Sequence, residues 1–275
     1  MLITVDTGGT KTLVAAFSSE GKIIASHKFP TPRQTQAYIL QLTSVIKEVA
    51  GDKKIDAIVV AVPGLVEKNI VKICPNLGWK DYDLIKDLKH SFKNIPILLE
   101  NDANLGGLGE ARMLDDSTES VLYVTISTGI GVGYIRNGQI DPALNSCEGG
   151  HIMLEYDGVV KDWESFASGR AIYETYRKYA KDITSKRVWL QISHRISRGF
   201  FALIPVINPD IIIIGGSMGT HIDKFGDALT EILDERMPAI IRRPKIVKAA
   251  HPEQAVIYGC YFYAIDNLSS KTTKA

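Results

Sequence analysis

Asp6-Thr7-Gly8-Gly9-Thr10-Lys11 and Ser127-Thr128-Gly129-Ile130-Gly131 are two short turns of one kind, each entered from an apolar β-type run and left by another. The first joins runs at 2–5 and 12–17, the second runs at 121–126 and 132–135. Glycine lets backbone N–H groups crowd close to an anion, and hydroxyls add donors, so a Gly/Thr hairpin turn makes a phosphate cradle. Two ordinary hairpins would account for the glycines but leave the Asp and Thr around them unexplained. Two such turns can grip one polyphosphate from both sides.

Outward from these turns the chain has a repeated layout. After the opening runs come a third at 23–28, a helix over 34–50, a buried-type strand at 57–62, the turn Pro63-Gly64, a short run at 70–73, a helix around 82–92 and a strand at 97–99. A Gly-rich helical stretch follows at 103–112, and then the pattern restarts. The second hairpin leads through Asn137-Gly138 to Gln139-Ile140 and an irregular segment at 141–147. Helical patterns fill 166–180 and 187–207, an apolar run at 211–214 ends in Gly215-Gly216, and a helix near 223–236, a strand at 246–248 and a helix over 253–268 close the chain. A β-hairpin followed by α/β alternation, occurring twice, predicts a duplicated α/β architecture of two lobes with a central cleft, residues 1–101 and 102–275, the helix near 253–268 packing back onto the first lobe.

Composition limits the partners. The 275 residues, 45% hydrophobic, suffice for one large core or two ordinary ones, and 32 basic against 31 acidic residues leave a net charge of +1. No broad field attracts nucleic acid or an anionic membrane. Cys74, Cys147 and Cys260 are few and far apart, which suits a reducing compartment. The first run begins at Leu2, leaving no room for a signal peptide, and no apolar stretch approaches the roughly 18 residues of a membrane span. The expectation is a cytoplasmic protein.

Two further clusters carry polar chemistry. Glu100-Asn101-Asp102 stands where a strand ends and a helix begins. Such residues commonly serve as N-caps, yet strand C-terminal ends are also where α/β sheets gather their ligands. Glu148-Gly149-Gly150-His151 forms a compact loop able to point its Glu and His into one pocket, although a loop histidine on its own is an ordinary surface residue.

The order of the motifs is specific: the first turn, Pro63-Gly64, Pro75-Asn76-Leu77-Gly78-Trp79, Glu100-Asn101-Asp102-Ala103-Asn104, the second turn, Glu148-Gly149-Gly150-His151, Glu164-Ser165-Phe166-Ala167-Ser168-Gly169, and Asn208-Pro209-Asp210 leading to Gly215-Gly216. Over nearly its whole length the chain resembles the ROK family of sugar kinases and sugar-responsive repressors, within the actin-like, hexokinase-type ATPase superfamily. The resemblance implies two actin-like, ribonuclease H-like lobes and ATP-dependent phosphorylation of a hexose or N-acetylhexosamine.

It also implies roles. Asp6, Gly8, Gly9 and Thr10 would bind ATP phosphates, with Lys11 an added charge and Asp6 in the Mg²⁺ shell, through water. Thr128 and Gly129 match the second phosphate turn, and Gly215 and Gly216 the loop beside the adenosine. The absence of a GxxxxGK[ST] loop fits a two-hairpin cradle. Asn101, Asp102, Glu148, His151 and Glu164 would hold sugar hydroxyls, with Gly64 and Asn76 as pocket neighbours. Asp102 would accept the hydroxyl proton as the phosphoryl group transfers. Family members are often dimers, so a homodimer is a further implication. A sugar sensor without turnover, or a ROK regulator without its DNA-binding helix-turn-helix, is the alternative; repressors carry that module at the N-terminus, where this chain begins with a strand.

One departure stands out. Many ROK proteins carry a CxCGxxGC segment after the Gly-His, whose three Cys join the His on a structural zinc. Here residues 152–163 contain no Cys, so no zinc site is expected, and Met153, Leu154, Tyr156 and Trp163 are the residues available to bury this loop.

Overall fold

The computed structural model describes residues 1–114, 118–252 and 254–272; Glu253, the start of the last predicted helix, lies outside them. The chain divides into two units, Met1–Gly109 with the segment from Gln254 onward, and Glu110–Glu253. The first unit runs β1 (Leu2–Thr7), β2 (Lys11–Phe17), β3 (Ile23–Pro30), α1 (Thr35–Ala50), β4 (Ala57–Val62), β5 (Leu65–Glu67), β6 (Ile70–Cys74), β7 (Trp79–Tyr82), α2 (Leu84–Lys89), β8 (Ile97–Asn101) and α3 (Asp102–Ala111). The second holds β9 (Ser120–Ile126), β10 (Ile130–Arg136), β11 (Gln139–Ile140), β12 (Met153–Tyr156), β13 (Val159–Asp162), α4 (Glu164–Ala167), α5 (Gly169–Tyr176), α6 (Lys186–Ile207), β14 (Ile211–Gly215), α7 (Gly216–Gly219), α8 (Ile222–Arg236) and β15 (Lys245–Lys248). The last helix, α9 (Ala255–Thr272), belongs to the first unit. The division falls inside α3, not after Asn101, because α3 continues directly from β8.

The two main sheets share one topology: β3-β2-β1-β4-β8 in the first unit and β11-β10-β9-β14-β15 in the second. In each, the hairpin that carries the Gly/Thr turn is antiparallel, β1–β2 and β9–β10, and the two later strands, β4 and β8 or β14 and β15, add in parallel beside β1 or β9. The duplication seen in the layout of the sequence is therefore a duplication of sheets.

Strand β4, Ala57 to Val62, is buried at every position, as a strand covered on both faces must be. Ile3, Val5, Ile58 and Val60 pack with Tyr38, Leu42 and Ile46 of α1. Their alternates Leu2, Thr4, Val59 and Ala61 are buried as well, and α9 lies against β1 and β4. In the second unit Leu122, Val124, Ile212 and Ile214 share a core with Ile192, Ile196 and Phe200 of α6. Among the described residues no helix is long and apolar enough to cross a membrane.

Three expectations need correction. The helix predicted over 166–180 is broken: Ser168 is extended and its side chain caps Ala171 N–H, while Arg177 adopts a left-handed conformation that ends α5. The segment 152–163 is not a packed loop but the hairpin β12–β13. Its turn residues Asp157 and Gly158 both have positive φ, 54° and 75°, the conformation that an Asp-Gly hairpin turn supplies. Met153, expected to bury, is 60% exposed because it sits on the outer face of that hairpin, whereas Trp163 is fully buried against Gly199 and Phe200.

Candidate active site

The first unit gathers its candidates at the C-terminal ends of parallel strands. Asp6 of β1 is level with Ala61 of β4, Ala61 with Glu100 of β8, and Val62 with Asn101. Strand register thus places the first Gly/Thr turn, Pro63-Gly64 and Glu100-Asn101-Asp102 along one edge of one sheet. The turn is closed by Gly8 N–H donating to Lys11 C=O at 3.0 Å and steadied by Thr31, whose N–H donates to Thr10 C=O and whose hydroxyl donates to Gly8 C=O. Thr10 and Lys11 are exposed, and Gly8 and Gly9 are half-buried. A Cβ built on Gly9 would meet Asn76 Cβ at 3.2 Å, so the phosphate-type turn touches a residue expected on the sugar side. Burial pushes the Asp6 carboxyl up to about 6, with Lys28 pulling the other way. A carboxylate held in such surroundings is one that a nearby divalent cation stabilises.

Asn101 works as a cap. Its Oδ1 accepts from Ala103 N–H at 2.8 Å and Asn104 N–H at 3.0 Å, and its amide donates to Gly64 C=O at 3.1 Å. Both ends of the side chain are therefore engaged, and what they do is fix the first turn of α3, where Asp102 stands half-buried. Glu100, expected only as a neighbour of the pair, is buried beneath them: its Oε1 accepts from Asn101 N–H and Asn104 Nδ2. Desolvation lifts its carboxyl despite donors from Asn104, Asn101 and Tyr263 of α9. Burial pushes the Cys74 thiol up to about 11, and the Asp102 charge adds to this, placing that carboxylate close to the strand that leads to Asn76.

In the second unit, the turn after β9 and the loop after β14 are neighbours because Gly215 is level with Thr125. Ser127 ties them: its Oγ accepts from Ser217 N–H at 3.0 Å, its N–H donates to Gly129 C=O, and its C=O accepts from Gly169 N–H. Gly216 has φ +74°, and a Cβ there would come within 2.6 Å of Ile126 C=O and Ser127 Oγ. Only glycine lets this loop approach the turn. Beside them opens a pocket of about 770 Å³ lined by Ser127, Thr128, Gly216, Ser217, Tyr173 and Tyr179. The two tyrosine rings stack at 4.6 Å with 28° between planes. They were hidden in the sequence inside one predicted helix; the left-handed Arg177 between them is what folds the chain back.

Glu164 begins α4 and reaches the second turn, its Oε2 accepting from Ile130 N–H at 3.0 Å. A Cβ on Gly129 would collide with that same oxygen. As with Gly9 and Asn76, a turn glycine abuts a residue expected on the sugar side. Glu148 immediately precedes the 3₁₀ turn Gly149–His151, and His151 ends it. Much of Glu148 faces solvent, yet desolvation lifts its carboxyl; His151 opposes that shift and Glu164 adds to it, so Glu148 lies within the field of both. His151 Nδ1 lies 3.3 Å from Asp162 Oδ2, a partner the sequence did not reveal. The signal was there in Asp157-Gly158, the turn that brings β13 alongside β12.

Comparison with known proteins settles the kinship. The model of the ROK family matches residues 2–267. The chain belongs to the ROK family. A glucokinase of Streptomyces coelicolor is 31% identical over 201 residues, 68% of this chain and 62% of that protein, so the match leaves more than a third of the relative uncovered. A xylose repressor of Caldicellulosiruptor bescii is 26% identical over 267 residues, 82% of this chain and 67% of the repressor. Among solved structures, a ROK glucokinase from Streptomyces griseus in complex with glucose and AMPPNP superposes with a TM-score of 0.80 at 21% identity, over 94% of this chain and 97% of that one. This ROK chain therefore shares the fold of that solved kinase.

The zinc of many ROK proteins does not fit the residues found here. The segment after His151 offers no thiolate; Cys147 precedes it, and Cys74 and Cys260 are buried in the first unit. His151, Asp162 and Glu164 bring three donor atoms within 4.8 Å of one another. Two of those atoms, however, face each other as a hydrogen-bonded pair, and the Glu164 oxygen nearest the turn accepts from Ile130 N–H.

Proposed function

We propose that this chain is an ATP-dependent kinase that phosphorylates a hydroxyl of a hexose or N-acetylhexosamine. The observation that carries this reading is the repeated pairing of a Gly/Thr turn with a residue expected on the sugar side, Gly9 with Asn76 in one unit and Gly129 with Glu164 in the other. A phosphate cradle touching a sugar contact is the arrangement that a transfer from nucleotide to sugar needs. Thr128, Gly129, Gly215 and Gly216 would take the nucleotide with the pocket beside them, and the stacked Tyr173 and Tyr179 supply an aromatic surface suited to a base.

Asp102, set by the Asn101 cap, would accept the proton of the attacking hydroxyl, an effect worth roughly 10²–10⁴-fold. Glu148, His151 and Glu164 would orient the sugar through its hydroxyls, each of which both donates and accepts. Asn101, with both ends already bonded, would act by holding Asp102 and Gly64 in place. Asp6 fits a Mg²⁺ ion bound through water; when present, the ion would neutralise charge developing on the phosphates.

We further propose a cytoplasmic protein that works without zinc and without nucleic acid. The relatives named xylose repressors keep a regulatory reading in view: a sugar-binding protein with no turnover. The two separate in one assay, ADP release on adding glucose, mannose, fructose, N-acetylmannosamine or N-acetylglucosamine to protein and Mg-ATP. Sugar-dependent ADP release supports the kinase; binding of a sugar with no ADP supports the regulator.

A further inference from the structure

We propose that Asp162 is the positioning residue of His151, acting through a hydrogen bond to its ring. It holds the proton on Nδ1, so that the neutral ring presents Nε2 as an acceptor. A sugar hydroxyl would then donate to His151 instead of receiving from it; that last clause alone rests on the kinase reading.

The geometry begins with the hairpin. Met153 pairs with Asp162 across β12–β13, and Trp163 N–H donates to Ile152 C=O at 3.0 Å, so the backbone next to His151 is clamped to the backbone around Asp162. Trp163, fully buried, anchors the end of β13 in the core. The carboxylate is fixed as well: Asp162 Oδ1 accepts from Ser165 N–H at 3.1 Å, and the Ser165 hydroxyl donates to Asp162 C=O at 2.6 Å. With one oxygen so held, the other faces His151 Nδ1 at 3.3 Å.

A carboxylate accepts and cannot donate. Were the neutral ring protonated only on Nε2, its Nδ1 lone pair would face a negative oxygen, so the Nδ1–H form wins. Desolvation works against the Asp162 charge, but the hydrogen bonds from Ser165 and His151 outweigh it and hold the carboxyl below its usual range. Glu164, with a carboxylate oxygen within 4.8 Å, and Glu148, whose carboxyl feels the His151 charge, are the other acidic groups beside the ring. The bland role for Asp162 is a helix cap for α4, which needs Ser165 and makes no demand on His151.

The test reads the ring directly. Protein labelled with ¹⁵N-histidine is examined by long-range ¹H–¹⁵N correlation at a pH where the ring is neutral, the His151 signals being assigned by their loss in His151→Gln. The expected result is the Nδ1–H form in wild type, a shift to the Nε2–H form in Asp162→Ala, and no shift in Ser165→Ala, which removes part of the cap only. In kinetics, Asp162→Ala should raise KM for sugar roughly tenfold with kcat and KM for ATP within about twofold. An Nε2–H ring in wild type, a tautomer indifferent to Asp162→Ala, or a stoichiometric divalent ion in the purified protein lost in that variant would overturn the proposal. If the tautomer shifts as expected but no sugar is phosphorylated, the positioning role stands and the kinase reading falls.

Discussion

Replacing Gly129 by alanine separates a functional turn from an ordinary hairpin. Gly129 does not have a positive φ, so the backbone accepts a Cβ; the obstacle is Glu164, whose Oε2 occupies the space the new atom needs. Glu164 must withdraw, and Ile130 N–H then loses the acceptor it has at 3.0 Å. A hydrogen bond to a charged group is worth about 1.5–3 kcal/mol, or roughly a ten- to hundredfold change in an equilibrium. If the turn held phosphate and nothing else, KM for ATP alone would rise. Because Glu164 moves with it, KM for sugar should rise too, by roughly tenfold or more. Gly9→Ala is the comparison: its Cβ meets Asn76 Cβ at 3.2 Å, a contact that a shift of a few tenths of an ångström relieves, whereas the Gly129 Cβ would collide with Glu164 Oε2, so the effect of Gly9→Ala should be several-fold smaller. Steady-state kinetics with each substrate varied in turn, beside thermal melts, measure this. Glu164→Gln combined with Gly129→Ala should be less than additive, since the two changes act through one contact. A folded Gly129→Ala enzyme with unchanged KM for both substrates would refute the reasoning, and one with an altered ATP constant alone would remove Glu164 from the sugar side.

Asp102→Asn should keep sugar binding within about tenfold and lower kcat by roughly 10²-fold or more; a loss confined to the thermal melt would make Asp102 a structural residue. Burial raises the Asp6 carboxyl from 3.8 to about 6, so without a bound cation the folded chain holds that proton more tightly than the unfolded chain, and stability falls as pH rises through this window. Asp6→Asn should accordingly melt a few degrees above wild type at pH 7, the gain fading toward pH 3.5, while Mg²⁺-dependent turnover drops; a variant that melts lower at pH 7 contradicts the assignment. A zinc-selective chelator should spare activity and a Mg²⁺-depleting one abolish it, and elemental analysis showing one zinc per chain would reverse that expectation.

The repeat of hairpin and α/β units was legible because buried parallel strands such as Ala57–Val62 and Ile211–Gly215 write continuous apolar runs, and turns such as Asn137-Gly138 announce themselves. The clustering of Asp6, Gly64 and Asp102 was legible only through motif order; what brings them together is strand register, which no single motif encodes. Other features were hidden for physical reasons. Asn101 reads equally as ligand and as cap, and its bonds to Ala103, Asn104 and Gly64 show the cap. Tyr173 and Tyr179 meet only because Arg177 leaves the helical region, a conformation arginine seldom advertises. Asp162 was missed because the Asp-Gly turn five residues before it was read as part of a loop.

The most direct measurement is the product itself. Wild-type protein with Mg-ATP and each hexose or N-acetylhexosamine is followed by ³¹P NMR, with ADP and phosphorylated sugar quantified together. A single sugar monophosphate appearing in a one-to-one ratio with ADP is the predicted result, with both falling together in Asp102→Asn. ADP accompanied only by inorganic phosphate, or no ADP with any sugar that binds, would contradict it.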